Sequence, residues 1–529
     1  MTDSMNQVLH HHGEFYFEPS LALWKEQALK NHERVFRETY WGQTAQQVRT
    51  ALKLPTDRPL IFTGHQPIFF HPGIWAKNLA ASVLAESIQG AACHKLTDTA
   101  LVTEYTHVIP EVEEAGQSRR RALEFFTTHD NLEAEKKYAF AFLPPPEKAA
   151  FQKILEDGKI YAPPLVKEAL QLYEEHLMKG LRENKTWNEF HIFTLRLLDE
   201  ICGTQRSYFE GSRFWKSEPF LKFVANWLTN LPSLTDLYNQ SLNEYRLAHH
   251  IKHEITPMPN LKFEDWWFEL PFWGVNKYRQ RYSAWAKSDG HHLTIRLQGS
   301  DGVYTVALKD FLTELRTLPI TLWPKALPQT LFCRLYLSDY FIHGLGGGAY
   351  EEVNNIFFEK VFKSPPLDFG TVTATWWVEP EQSLKMEEIM RWEERIRAWQ
   401  RTLSKNPEYL ITKSEAWKVE LPEFIRKKFE EAAQNSDLKI LADEKKGLIE
   451  SLKDPAKKSE ASKRIGEING KLTDQYGSLF VALEVGLADI EKLKKVEEVL
   501  TFRGYPFFCY APKVFIDMKK KLQELFPKA

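Results

Sequence analysis

A chain of 529 residues is too long for one hydrophobic core, so two or three domains are expected. Its 43% apolar and 26% charged content is that of a globular protein, and a net charge of −2 gives no basic field for a nucleic-acid partner. No apolar run approaches the ~20 residues of a membrane span, so no membrane partner is expected either.

The N-terminus, "MTDSMNQVLHHHGEFYFEP", has no charged-then-apolar leader pattern. Its histidines 10 to 12 read as a solvated tail. Cys93, Cys202, Cys333 and Cys509 are scattered without metal-type spacing or a Cys-x-x-Cys pair, as in a cytoplasmic protein with reduced thiols. Residues 1–144 read as the first half of an α/β core: a helical stretch, the strand "RPLIFTG", a turn, the helix "GIWAKNLAASVLAESI" and the strand "AACHKLTD". In that helix Trp75, Leu79, Val83 and Ile88 recur about every fourth residue, which predicts one buried face.

Residues 145–325 read as a mainly helical insertion closing over the first region. They carry the cluster "FEDWWFELPFWGVNKYRQRY", read as core packing rather than a base-stacking platform, and a strand-like "HLTIRLQG". Residues 326–381 return to α/β character and end in the strand "FGTVTATWWV". Over 382–500 charges rise, and Leu479, Leu483, Leu487, Ile490 and Leu493 are spaced three and four apart. The spacing predicts a long helical hairpin, read as an antiparallel coiled-coil arm broken near Asp454–Pro455 that could serve as a homodimer contact. Residues 501–529, with "LTFRGYPFFCYAP", read as a strand returning to the core.

Two stretches carry candidate chemistry. In "TGHQPIFFHPGIWAKN", Pro72 suits the first helical position and leaves His71 as the cap. The amides of Gly73 and Ile74 would then face outward and, with the helix dipole, favour an anion. Gly73 admits close approach of a ligand, Lys77 neutralises it, and Gly64 permits the sharp turn after the strand. Thr63, His65, Gln66 and Asn78 complete the candidate contacts, at a place where open α/β sheets bind ligands. The same residues also serve a plain turn in which His65 and His71 are structural.

In "SDYFIHGLGGGAYEE", Asp339 and His343 lie four apart, read as one face of a helix that Gly344 ends as a C-cap. A carboxylate fixing an imidazole makes an acid–base pair. Gly346, Gly347 and Gly348 read as a loop whose amides cradle an anion, followed by Tyr350 and Glu351. Arg334, in an apolar segment, needs a partner, either an internal acid or a substrate carboxylate. Asp98, at the end of the second strand, is placed to meet ribose hydroxyls or an amine. No metal-ligand set is read from the chain.

These residues resemble a known pattern. A strand, a His-x-Gly turn and a helix are similar to the opening of the HIGH-motif nucleotidyltransferase superfamily, and "QPIFFHPGIWAKN" resembles the Gln-Pro-aromatic opening of WbqC-like proteins. Over most of the chain the order of parts resembles the bacillithiol-synthesis cysteine-adding family (BshC). That resemblance implies a Rossmann-like parallel sheet with a helical insertion and a coiled-coil arm. It also implies an ATP-assisted ligase, with Mg, joining a cysteine-like amino acid or related carboxylate to an amine-bearing small molecule. His71, Gly73 and Lys77 would hold phosphate, His65 would meet developing charge, and Asp339 with His343 would handle the proton. The chain departs from the pattern at Ile74, which stands where the motif has its last histidine, at His65-Gln66 in place of Gln-Gln, and in having no Lys-Met-Ser-Lys-Ser loop. The other reading is a small-molecule-binding or scaffold protein without chemistry that dimerises through the arm.

Overall fold

The structure, a computed structural model, describes residues 11–102, 107–112, 118–123, 138–251, 258–381, 386–434 and 436–527. It is mixed α/β, and the chain divides into two compact units. The first comprises Met1–Ile109, Arg121–Val378 and Arg503–Ala529; the second comprises Pro110–Arg120 and Glu379–Phe502.

The first unit is built on a six-stranded sheet. Its strands are β1 (Glu14–Glu18), β2 (Leu60–His65), β3 (Ala91–Leu96), β4 (Ser207–Glu210), β5 (Tyr340–His343) and β6 (Phe369–Thr375). They lie in the order β1-β6-β5-β2-β3-β4. All neighbours are parallel except the edge strand β1, which runs antiparallel to β6. Parallel strands are covered on both faces, which is why β2, β3 and β5 read as nearly unbroken apolar runs. The chain leaves β2 towards β3 and β4, then returns to the other side of β2 for β5 and β6. The strand order therefore reverses between β2 and β5, where an open α/β sheet has a crevice at its carboxyl edge.

Helix Pro72–Ser87 has Pro72 at its first position and His71 as its cap, as its sequence predicts. It is buried from Pro72 to Ala85 on every side, not on one face. It packs on β2, β3 and β6, with the C-terminal helix Pro512–Leu525 against it. That C-terminal segment holds no strand. Pro506 and Pro512 confine it to a single turn, Phe507–Cys509, which is nevertheless wholly buried.

The insertion is less helical than its sequence suggested. Helices fill Lys148–Ala248, but the rest is a second, antiparallel sheet in the order Val303–Ala307, His292–Leu297, Arg281–Ser288, Trp267–Val275, Thr321–Pro324. Its inner face, with Leu270, Phe272, Ala284 and Ile295, shares one core with Leu60, Phe62 and Phe341 of the first sheet. The aromatic cluster is thus divided. Phe272 is core, while Trp273 lies half-buried, with Arg281 at 4.4 Å and Lys325 at 4.8 Å from its ring centre.

His10 lies outside the described residues, but His12 is no solvated tail residue. Its Nδ1 accepts the Trp377 N–H at 3.0 Å and its ring meets Trp376.

The second unit is helical around a core that includes Ile396, Trp399, Trp417, Phe429, Leu472 and Leu483. Helix Met386–Lys405 packs along Gly477–Leu500, and Ser436–Ser451 along Lys458–Gln475. The break between the last two falls at Asp454–Pro455, where the sequence placed it. No helix among the described residues is long and apolar enough to cross a membrane.

Candidate functional site at the carboxyl edge of the parallel sheet

Helix Pro72–Ser87 reaches the crevice with its first turn. His71 Nδ1 accepts the Gly73 N–H at 3.1 Å, and the His71 carbonyl accepts from both Ile74 and Trp75 at 3.0 Å. The amides expected to face a ligand are therefore used by the cap. What the helix does deliver is Lys77. Its side chain points back toward the helix start, and Nζ donates to the carbonyl of Gly64, the end of β2, at 2.9 Å. Lys77 is 3% exposed and has no salt bridge among the described residues. Burial, with Lys95 nearby, pulls its pKa down to about 7.

Beneath Lys77 lies a buried polar trio. Thr63 Oγ1 is 2.8 Å from Asn78 Oδ1 and 2.7 Å from His94 Nδ1. Asn78 Nδ2 and His94 Nε2 are buried without hydrogen-bond partners. His65 is half-buried, with Nδ1 3.1 Å from the Gln66 carbonyl; Nδ1 carries the proton there and Nε2 the lone pair. Burial, then Lys77, holds its pKa well below the ordinary imidazole value. Burial, then Arg503 and Lys77, takes His71 down to about 3. Both rings are neutral at pH 7.

The second stretch requires correction. Asp339 and His343 share no helix. The helix ends at Phe332, a wide π-type turn spans Cys333–Leu337, and Tyr340–His343 is the strand β5. A strand of four residues separates its ends, so Asp339 stands at the amino edge of the sheet and His343 at the carboxyl edge. Asp339 is committed to structure: Arg49 donates to it at 2.9 and 3.0 Å, and the Leu60 N–H at 2.6 Å. The expected Asp339–His343 pair does not exist.

Gly344 is likewise no C-cap, and Gly346–Gly348 are no loop. They form the start of helix Leu345–Phe362, with Gly344 at its N-cap. Glycine is tolerated there by packing: a side chain at Gly348 would meet Thr371 Oγ1 at 2.2 Å, and one at Gly347 would meet His343 Nδ1 at 2.9 Å. The first intrahelical bond is Gly348 N–H to the Gly344 carbonyl at 2.9 Å, and no side chain caps the helix. The amides of Leu345, Gly346 and Gly347 thus stay outside the ladder. The anion-friendly helix start predicted at Gly73 is found here instead, and the stem of Lys77 passes 3.7 Å from where a Gly344 side chain would begin.

His343 is 5% exposed and stacked on Phe341, with Nε2 3.8 Å from Glu351 and without a hydrogen bond. Burial lowers its pKa to about 4. Arg334 finds an internal acid, Glu351, at 2.6 Å, and also binds Asn355; no substrate carboxylate is needed. Glu351 is thereby structural, and Tyr350 lies beside it, half-buried. Asp98 sits at the end of β3, 2.9 Å from Asn188 Nδ2 and accepting from Ser212 N at 2.8 Å and Oγ at 2.6 Å, which leaves it little capacity for a ligand.

The structure therefore brings together Thr63, Gly64, His65, Gln66, His71, Gly73, Lys77 and Asn78 with His343 and Gly346–Gly348. It sets aside Asp339, Arg334, Glu351 and Asp98. Sequence reasoning missed Lys95, His94 and Arg503. Lys95, 1% exposed and without a carboxylate partner among the described residues, donates to Thr97 Oγ1 at 3.1 Å. A lysine inside an otherwise apolar parallel strand was the available signal for it.

No family model matches this chain, and no curated protein matches it.

Proposed function

We propose that the crevice between β2 and β5 binds an anionic group of a small-molecule substrate, and that the chain is a divergent relative of the bacillithiol-synthesis cysteine-adding family. In this reading it joins a cysteine-like amino acid or related carboxylate to an amine. The observation that carries the reading is Lys77: a buried ammonium without a counter-ion, beside an uncapped helix start, at the reversal of strand order. A buried cation is strongly disfavoured unless an anion completes it. The parallel strand order supports a Rossmann-like core of the HIGH type, and the paired helices 436–451 and 458–475 support the arm as an antiparallel coiled coil.

Lys77 and the amides of Gly346 and Gly347 suit a phosphate, so ATP with its Mg would be held there and would supply the leaving group that activates a carboxylate. The chain's own residues would then orient and exclude water. Lys77, Lys95 and the helix start favour negative charge as it develops. His65, neutral and with its lone pair on Nε2, takes the proton released by the attacking amine. The role expected of Asp339 passes to no other acid, since Glu351 is held by Arg334.

The test is binding and turnover by the full chain. ATP, ADP and amino acids should each be assayed for a rise in melting temperature, and Lys77→Met should lose the nucleotide response. A wild-type protein that shows no shift with any of them would sink the reading.

A specific observation favours a second reading. Val481 and Val485, one turn apart on helix Gly477–Leu500, are 59% and 54% exposed, as a dimer contact would require. If Val481→Ser with Val485→Ser converts a dimer to a monomer while Lys77→Met changes no ligand response, the scaffold reading replaces the enzyme.

A further inference from the structure

Arg503 enters the first unit just ahead of the buried turn Phe507–Cys509. Its Nη2 donates to Oγ1 of Thr373 on β6, and among the described residues it forms no salt bridge. A guanidinium has five N–H donors, and one is used. It lies against the first turn of helix Pro72–Ser87. A side chain at residue 73 would begin 2.9 Å from Nη2 and 2.8 Å from the Ala374 carbonyl. Gly73, read from sequence as a place for a ligand to approach the backbone, is in fact where Arg503 approaches it.

Lys77 is four residues on from Gly73, hence on the same face of the helix and about 6 Å away at the Cβ level. Between the two cations sits His71, neutral and engaged in capping. The amides of Gly73 and Ile74 are consumed by that cap, so on this side of the crevice only a side chain can present free donors. A planar fork held by a threonine is suited to carboxylate or phosphate oxygens.

We infer that Arg503 forms a second anion subsite one helical turn from Lys77, so that the ligand of this crevice carries two anionic groups, as a dicarboxylate or a diphosphate does. The inference rests on the reading that Lys77 binds the first anion. Thr373 is a positioning residue: its hydroxyl holds the guanidinium over Gly73.

The experiment titrates the full chain calorimetrically with acetate, malonate, succinate, glutarate, phosphate and pyrophosphate. One dicarboxylate, or pyrophosphate, should bind at least about tenfold tighter than its single-anion counterpart, the value of one further charge-assisted hydrogen bond or more. Which series shows the gain tells carboxylate from phosphate. Arg503→Gln should erase the gain and leave the single-anion affinity within about threefold. Lys77→Met should weaken both. Thr373→Val, which keeps the guanidinium but removes its anchor, should lose part of the gain and serves if Arg503→Gln does not fold. A bis-anion advantage that survives both Arg503→Gln and Thr373→Val overturns the second subsite. Arg503→Gln abolishing all anion binding while Lys77→Met changes nothing overturns the Lys77 reading instead, and leaves Arg503 as a lone site.

Discussion

Replacing Lys77 by methionine keeps an unbranched side chain of similar length and removes the charge. Burial lowers the Lys77 pKa from 10.5 to about 7. At ~1.4 kcal/mol per unit, that is about 5 kcal/mol by which the charged lysine opposes folding of the unliganded protein. The sign follows from proton counts. Between pH 7 and 10.5 the unfolded chain keeps a proton on this lysine that the folded chain has lost, so stability rises with pH across that window. From pH 7 to pH 9 this one group contributes a rise of about 2 kcal/mol. Lys95, lowered by burial in the same direction, adds to the wild-type slope. The informative quantity is therefore the difference between wild type and Lys77→Met. Urea denaturation followed by tryptophan fluorescence at the two pH values measures it. Lys77→Met should be the more stable protein at pH 7 and should lose most of that advantage by pH 9. Equal pH slopes in the two proteins would refute the claim that this ammonium is buried and unpaired.

Anion affinity should show the opposite dependence. An anion restores the proton to Lys77, so phosphate binding should weaken by up to about tenfold per unit above pH 7 in wild type, and stay flat in Lys77→Met by calorimetry. Asp339→Asn should cost about 3–5 kcal/mol in denaturation, because it strands the buried Arg49, yet leave phosphate affinity unchanged because it sits at the far edge of the sheet. Gly348→Ala should destabilise by about 1–3 kcal/mol through its clash with Thr371. Gly346→Ala, which meets nothing within 4 Å, should be neutral or stabilise by up to about 1 kcal/mol in the same melts.

The first strand, the first helix and the second strand were legible because the apolar run, Pro72 and His71 all point to the same local structure. What could not be read there was where the cap's hydrogen bonds go: His71 was seen as the cap, but not that its own carbonyl and ring would use up the amides beside it. The second stretch misled for a different reason. Asp339 and His343 have helical spacing, and three glycines argue against a helix, but both signals are local. Tertiary packing decides otherwise. Tyr340–His343 is held as a strand by pairing on both sides with residues far away in sequence, Ile61–Thr63 and Phe369–Thr371. Gly347 and Gly348 are in a helix because only glycine lets that helix lie on His343 and Thr371. The antiparallel sheet of the insertion was hidden by its aromatic density, which obscured the period of two. Arg503 was beyond reach, since nothing near it in the chain marks it as a neighbour of Gly73.

The central claim is that an anion sits between Lys77 and the start of helix Leu345–Phe362. A crystal structure of the protein grown with sodium tungstate tests it directly, because the anomalous signal locates the ion without interpretation. The account predicts a peak about 3 Å from Lys77 Nζ and from the amides of Gly346 and Gly347, with the lysine drawn off the Gly64 carbonyl. Tungstate bound only elsewhere, with Lys77 still on that carbonyl, would contradict it.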